Sequence, residues 1–243
     1  MNSKFIVAAV ALSFASASAQ ASLVISQWNF NSITPDNNTG SGITTPNIGN
    51  GTASVIGGVT QAFASGTASG GSSDPALTDN SGWQTTTYAA QSAGDKTRGV
   101  QFNVSTLGFS DISIRYDVRH SNTSARHQQV QYSLDGINFI DSTLFTATAG
   151  DTWFNGRSVD FSNIAGVANN ANFAFRIVSA FAPGTSTYLP SNPASSYGAG
   201  GTLRFDMVTV TGVPVPAAFW MMASGLIGMV CVRRRHTAAH SAI

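Results

Sequence analysis

The stretch Ile112-Ser-Ile-Arg-Tyr-Asp-Val-Arg-His120 alternates without a break. Ile112, Ile114, Tyr116 and Val118 fall on one side, and Ser113, Arg115, Asp117 and Arg119 on the other. A period of two belongs to a strand with one face against a core, because successive strand side chains point to opposite faces. The same reading predicts strands over Leu23–Phe30, Val100–Val104, Val130–Leu134, Phe173–Val178 and Leu203–Val210. Asp135-Gly136, between Tyr132–Leu134 and Ile137–Phe139, predicts a two-residue hairpin. The Gly- and Ser-rich stretches Gly57–Ser73 and Pro190–Gly201 read as long loops inside one domain.

Composition supports an all-β chain. Only 9% of the 243 residues are charged, no Glu occurs, and Lys appears twice, at Lys4 and Lys96. Exposed helix positions favour Glu and Lys, whereas Thr, Asn, Asp and Gly suit strands and turns. The expected fold is therefore a jelly-roll-like β-sandwich spanning residues 22–212, favoured over a barrel. Cys231, the only cysteine, leaves no internal disulfide and no Cys zinc site.

Both ends read as addresses. Residues 1–21 place Lys4 before the apolar run Phe5–Phe14 and end in the small-residue cleavage patterns Ala17-Ser-Ala19 and Ala19-Gln-Ala21, a signal peptide. From Val213 to Val232 the chain carries no charge, enough residues for a single transmembrane helix that would start at the prolines. Arg233, Arg234 and Arg235 follow, which predicts a cytoplasmic position for residues 236–243 and an exported body. Without Lys4 and these three arginines, eight basic residues face eleven Asp, a net of −3. No nucleic-acid partner is expected.

Val213-Pro214-Val215-Pro216-Ala217-Ala218, the apolar run and Arg233–Arg235 together resemble the PEP-CTERM sorting tail in its VPLPA-like form, here over residues 213–235. Val215 stands at the variable third position, where the commonest version has Glu, and eight residues trail the Arg cluster where the family usually stops sooner. The resemblance implies an exosortase as partner, transient anchoring in the inner membrane of a Gram-negative bacterium, processing near the prolines, and delivery to the cell surface or extracellular matrix. A second likeness lies in the succession Ile112–Arg119, Val130–Phe139, Val159–Ile164, Asn172–Val178 and Leu203–Gly212. It is similar to jelly-roll modules of bacterial surface and PEP-CTERM proteins. Some of these accompany nucleases, and similar sandwiches bind carbohydrate.

Chemistry-bearing residues are few. With no Glu, H-E-x-x-H zinc sites and Glu-based glycosidase pairs are impossible, and no G-x-S-x-G elbow or Walker-type loop occurs. The domain's only histidines, His120 and His127, flank a polar turn that could bring them together on a metal; a plain hairpin loop is the alternative. Asp206 reads as a solvated, outward carboxylate, with calcium ligation the alternative. Trp83, Tyr88 and Trp153 can stack on sugar rings if one exposed face holds them, with Arg115, Arg119 and Arg176 supplying hydrogen bonds; burial is the competing reading. Two functions follow. The preferred one is a non-catalytic surface or matrix protein that binds extracellular polysaccharide or a protein neighbour. The other is a secreted Asp-dependent hydrolase assisted by calcium.

Overall fold

The computed structural model describes residues 21–76 and 78–215. Twelve strands are formed: β1 Leu23–Trp28, β2 Ile48–Gly49, β3 Thr52–Ile56, β4 Thr60–Ser65, β5 Ser81–Thr86, β6 Gly99–Asn103, β7 Phe109–His120, β8 His127–Ser133, β9 Ile140–Thr146, β10 Thr152–Asp160, β11 Ala174–Ala180 and β12 Leu203–Pro214. A 3-10 turn at Ala68–Gly70 is the only helical element among the described residues. The strands build two antiparallel sheets that share one core, the β-sandwich expected from the alternation.

The seven-stranded sheet runs β10-β7-β12-β1-β2, and β12 also pairs with β5, which pairs with β4. Its pivot is β12. Leu203–Phe205 lies along β5 and Val208–Gly212 along β1. A bulge between Asp206 and Thr209, with Met207 at φ 47°, divides β12 into these two parts. The five-stranded sheet runs β3-β6-β11-β8-β9.

The inward row of β7 is buried from Ile112 through Val118, and His120 continues it. Across the gap, Phe102 of β6 stacks on Phe175 of β11 at 4.9 Å and meets Trp28 edge-on at 5.1 Å. Trp83 of β5 stacks on Phe30 at 5.3 Å. Each such side chain removes 150–250 Å² from water, so these rings dominate the burial energy.

Three local expectations are corrected. The Gly57–Ser73 stretch contains β4, and its end folds back over the outer face of the seven-stranded sheet, where Ser72 and Ser73 bond to Asp206 and Asp117. The predicted two-residue hairpin is wider, with β8 ending at Ser133 and β9 starting at Ile140. Its cause is Asp135, whose carboxylate accepts the Ile137 and Asn138 N–H groups at 2.8 and 2.7 Å and holds that segment as a cap rather than a strand. Finally, β12 continues past 212, pairing Val213 with Ser110 and Pro214 with Phe109, and the Val215 N–H donates to Gly108 O. The expected helix therefore does not begin at Val213. Among the described residues no helix is long and apolar enough to cross a membrane. The signal-peptide reading up to residue 20, the rest of the predicted span and the tail 236–243 lie outside the described residues.

Candidate functional site

The predicted sugar-stacking aromatics do not share an exposed face. Trp83 is fully buried, and its indole N–H donates to Gln61 Oε1 at 2.8 Å. Tyr88 is buried with its hydroxyl 2.6 Å from Thr85 Oγ1, and burial pushes the phenol up. Trp153 is buried beneath the 3-10 turn, bonded to Ala68 O at 2.8 Å. The arginines also part company. Arg115 and Arg119 are on the outer face of the seven-stranded sheet, where Arg119 bonds Asp151 at 2.8 Å, whereas Arg176 is on the outer face of the five-stranded sheet. Of the predicted tail motif, Val213, Pro214 and Val215 are described; Pro216, Ala217, Ala218, Arg233, Arg234 and Arg235 lie outside the described residues.

Arg176 sits at the centre of a different constellation. Register across the five strands places Ser54, Gln101, Arg176, Gln131 and Asp141 in one row, all on the solvent side. The inward neighbours Val100, Phe102, Val130, Phe175 and Ile177 fix that direction by burying themselves. With strands about 4.8 Å apart, the row is roughly 19 Å long. A second row beside it brings Thr52, Asn103, Ala174 and Ser133 together.

These side chains hold one another. Arg176 Nε donates to Gln101 Oε1 at 2.7 Å, Gln101 Nε2 to Asn103 Oδ1 at 2.9 Å, and Asn103 Nδ2 to Thr52 Oγ1 at 2.9 Å. At the far end Gln131 Nε2 and Lys96 Nζ both donate to Asp141. Partial burial works against the Asp141 charge, but these two donors outweigh it and hold the carboxyl below its usual range. The Arg176 guanidinium lies 3.5 Å over the half-buried ring of Phe139. Next to Thr52 and Asn103 the surface dips into a hollow of about 240 Å³, also lined by Asp135, Gly136 and Asn172.

The face thus offers amides, hydroxyls and one stacked guanidinium, with Lys96 paired to Asp141. It suits an uncharged ligand rich in hydroxyl groups, since fixed donors and acceptors need little reordering to bind. The signal for it was present in the sequence. Gln101 and Asn103 alternate with Val100, Phe102 and Val104, and Gln129 and Gln131 alternate with Val130 and Tyr132.

The remaining candidates resolve differently. Asp206 is outward as expected, yet buried rather than solvated: Ser72 Oγ bonds its carboxyl at 2.5 Å under the folded-back segment. Burial, with the charges of Asp74 and Asp117 adding to it, pushes its pKa well up. Asp117, directly opposite on β7, accepts the Ser73 N–H and O–H at 2.6 Å and the Gly156 N–H at 2.7 Å. His120 turns into the interior, while His127 on β8 bonds Thr146 at 3.1 Å. The polar turn does not bring the two rings together, and no cluster of three metal-ligating side chains occurs among the described residues.

No family model matches this chain, and no curated protein matches it. Solved structures do. It is similar to the CBM22-1 xylan-binding domain from Paenibacillus barcinonensis Xyn10C, at 14% identity and TM-score 0.42, covering 82% of this chain and all of that one. It is also similar to the family 11 carbohydrate-binding module from Clostridium thermocellum in complex with a β-1,3-1,4-mixed-linked tetrasaccharide, at 12% identity and TM-score 0.39, with the same coverages. The K1 cleaved adhesin domain of Lys-gingipain from Porphyromonas gingivalis W83 matches at 13% identity and TM-score 0.41, over 78% of this chain and 97% of that one. At such identities and scores these likenesses carry no functional argument.

Proposed function

We propose that the domain is a non-catalytic module that binds a hydroxyl-rich, uncharged stretch of extracellular polysaccharide on the outer face of its five-stranded sheet. The observation that carries this is the row Ser54, Gln101, Arg176, Gln131 and Asp141, exposed at both ends and partly exposed at its bonded centre. A protein-docking face would centre on desolvated apolar and aromatic anchors. Here the row offers amides and hydroxyls instead. A nucleic acid calls for an excess of Lys and Arg, whereas this row holds Arg176 and the Lys96–Asp141 pair.

Delivery is read from the chain's two ends. The signal peptide exports the domain. The tail, which resembles a PEP-CTERM signal, anchors it in the inner membrane until an exosortase releases it to the surface or matrix. β12 carries Val213 and Pro214, and the Val215 N–H bonds Gly108 O, so the motif's first three residues are attached to the sheet.

The binding claim is tested with residues 22–215, the host's own polysaccharide and the variants Arg176→Ala and Gln101→Ala. Each removes a bonded group from the row, and a loss of about ten-fold per variant is expected from one charge-assisted or buried hydrogen bond. Retained affinity in both variants would remove the row from the reading, and turnover of the polysaccharide would replace binding with hydrolysis. For delivery, intact-mass measurement of released protein decides: recovery solely of chains that retain Arg233–Arg235 in an exosortase-bearing host means a plain anchor.

A further inference from the structure

Between the two sheets, at the edge where β10 and β9 face each other, a charged side chain is buried without a counter-charge. Arg157 of β10 is 7% exposed. A register shift between Phe154 and Arg157, with Gly156 at φ 73°, places Arg157 opposite Tyr116 of β7 and turns its guanidinium inward. There it lies 4.8 Å from the centroid of Phe154 and 5.1 Å from that of Phe145 on β9. Its Nη1 donates to Gln128 Oε1 at 2.6 Å, and the Tyr116 hydroxyl lies beside the guanidinium. The only ion pairs among those residues are Lys96–Asp141 and Arg119–Asp151.

Two ring faces soften the burial of a guanidinium but do not neutralise it, and a buried charge ordinarily has an ionic partner. The groups around Arg157 share its deficit. Tyr116 Oη, Gln128 Nε2 and His120 Nε2 are all sealed from solvent, and none has a hydrogen-bond partner. Their orientation is fixed by what they already bond. Arg157 holds the Gln128 carbonyl toward itself, so the amide NH2 group of Gln128 points elsewhere as a donor. The Ser124 hydroxyl lies 3.3 Å from His120 Nδ1. Burial, then the neighbouring guanidinium, push His120 down to about 3, so the ring is neutral and adds no second cation. Burial likewise pushes the Tyr116 phenol up, which keeps its O–H as a donor rather than a phenolate that would balance Arg157. The cluster therefore presents N–H and O–H groups from Arg157, Gln128 and Tyr116, one uncompensated positive charge and no carboxylate.

We propose that this interior cluster of Tyr116, Gln128 and Arg157, beside the neutral His120, binds one small monovalent inorganic anion, with chloride as the natural occupant. An anion accepts from all three donors and cancels the guanidinium charge. A water molecule in the same place would accept fewer bonds and leave the charge unbalanced. Entry is from the sheet edge, since β10 and β9 are terminal strands of their sheets.

The test is thermal unfolding of the full-length chain at pH 7 in sodium chloride against sodium gluconate at equal ionic strength, gluconate being too large to enter. A saturable rise of the midpoint is expected with chloride, roughly 5–10 °C at a hundredfold excess over half-saturation. Tyr116→Phe keeps the ring and removes one donor, so the half-saturating chloride concentration rises about ten-fold or more. Arg157→Met abolishes the response if the variant folds. Bromide replacing chloride in crystals gives an anomalous peak in contact with Arg157. Superimposable curves in the two salts overturn the proposal, as does a chloride response that Tyr116→Phe leaves unchanged.

Discussion

Asp117 and Asp206 face each other across β7 and β12, both under the segment carrying Ser72 and Ser73, yet their surroundings set them opposite tasks. Three donors converge on the Asp117 carboxyl oxygens, the Ser73 N–H and O–H and the Gly156 N–H. Asp206 has the Ser72 hydroxyl at 2.5 Å and the Met207 N–H at 2.7 Å, and burial together with the charges of Asp74 and Asp117 raises its pKa well above that of an ordinary carboxyl. Asp206 therefore keeps its proton in the folded chain at pH values where the unfolded chain has lost it. Stability from holding that proton is complete below the unfolded value near 3.9 and drains away as pH rises toward the folded value.

Asp206→Asn cannot lose a proton, and its amide N–H2 can donate to Ser72 Oγ once that hydroxyl, which donates to Asp206, turns to Asn80 Oδ1. Near pH 4 the variant should match the parent. Above that, its advantage should grow by about 1.4 kcal/mol per pH unit until the folded Asp206 ionises. Urea unfolding of both chains from pH 4 to pH 8 reads this directly as a widening gap in midpoint. Asp117→Asn serves as the opposite control. It turns an N–H2 group toward either Ser73 or Gly156, and at pH 7 should cost about 2–4 kcal/mol in lost charge-assisted bonding and an opposed donor. A gap for Asp206→Asn that stays flat with pH, or an Asp206→Asn chain less stable than its parent at pH 8, would refute the assignment of a neutral carboxyl.

Two further perturbations probe the core and the gap between strands. Trp83→Ala removes a fully buried ring stacked on Phe30, along with its bond to Gln61, and should lower stability by about 3–5 kcal/mol; a cost below about 1 kcal/mol in urea melts would place the ring outside the core. Gly99→Ala would set a methyl 2.0 Å from Ile177 O, so β6 and β11 must separate, at about 1–3 kcal/mol. Because Gly99 and Gln101 are on the same face of β6, polysaccharide affinity should fall together with stability, and unchanged affinity would separate the row from the register of those two strands.

The alternation of β7 carried two messages in the sequence, and they fared differently. The inward message held at every predicted position, because Ile112, Ile114, Tyr116 and Val118 have no competing place to go once the second sheet packs on them. The outward message depends on whether another segment covers that face, and period alone says nothing of cover. Over β7 and β12 the cover is Ser72-Ser73-Asp74, part of a Gly- and Ser-rich stretch whose pattern could not announce a lid, so Asp117 and Asp206 are buried. Trp83 is the other case: between Gly82 and Gln84 no alternation marks its face, so its large ring reads equally as a sugar platform or as core, and packing decides for the core. On the five-stranded sheet Gln101, Arg176 and Gln131 stay partly exposed, whereas Gln129 and Val178 on the same face are buried, so there too the alternation alone does not tell solvent from cover. A candidate ligand face in an all-β chain is thus polar alternation on strands left uncovered. Sequence supplies the first half of that definition and only long-range packing the second, which is why the amides of β6 and β8 were legible as outward but not as a site.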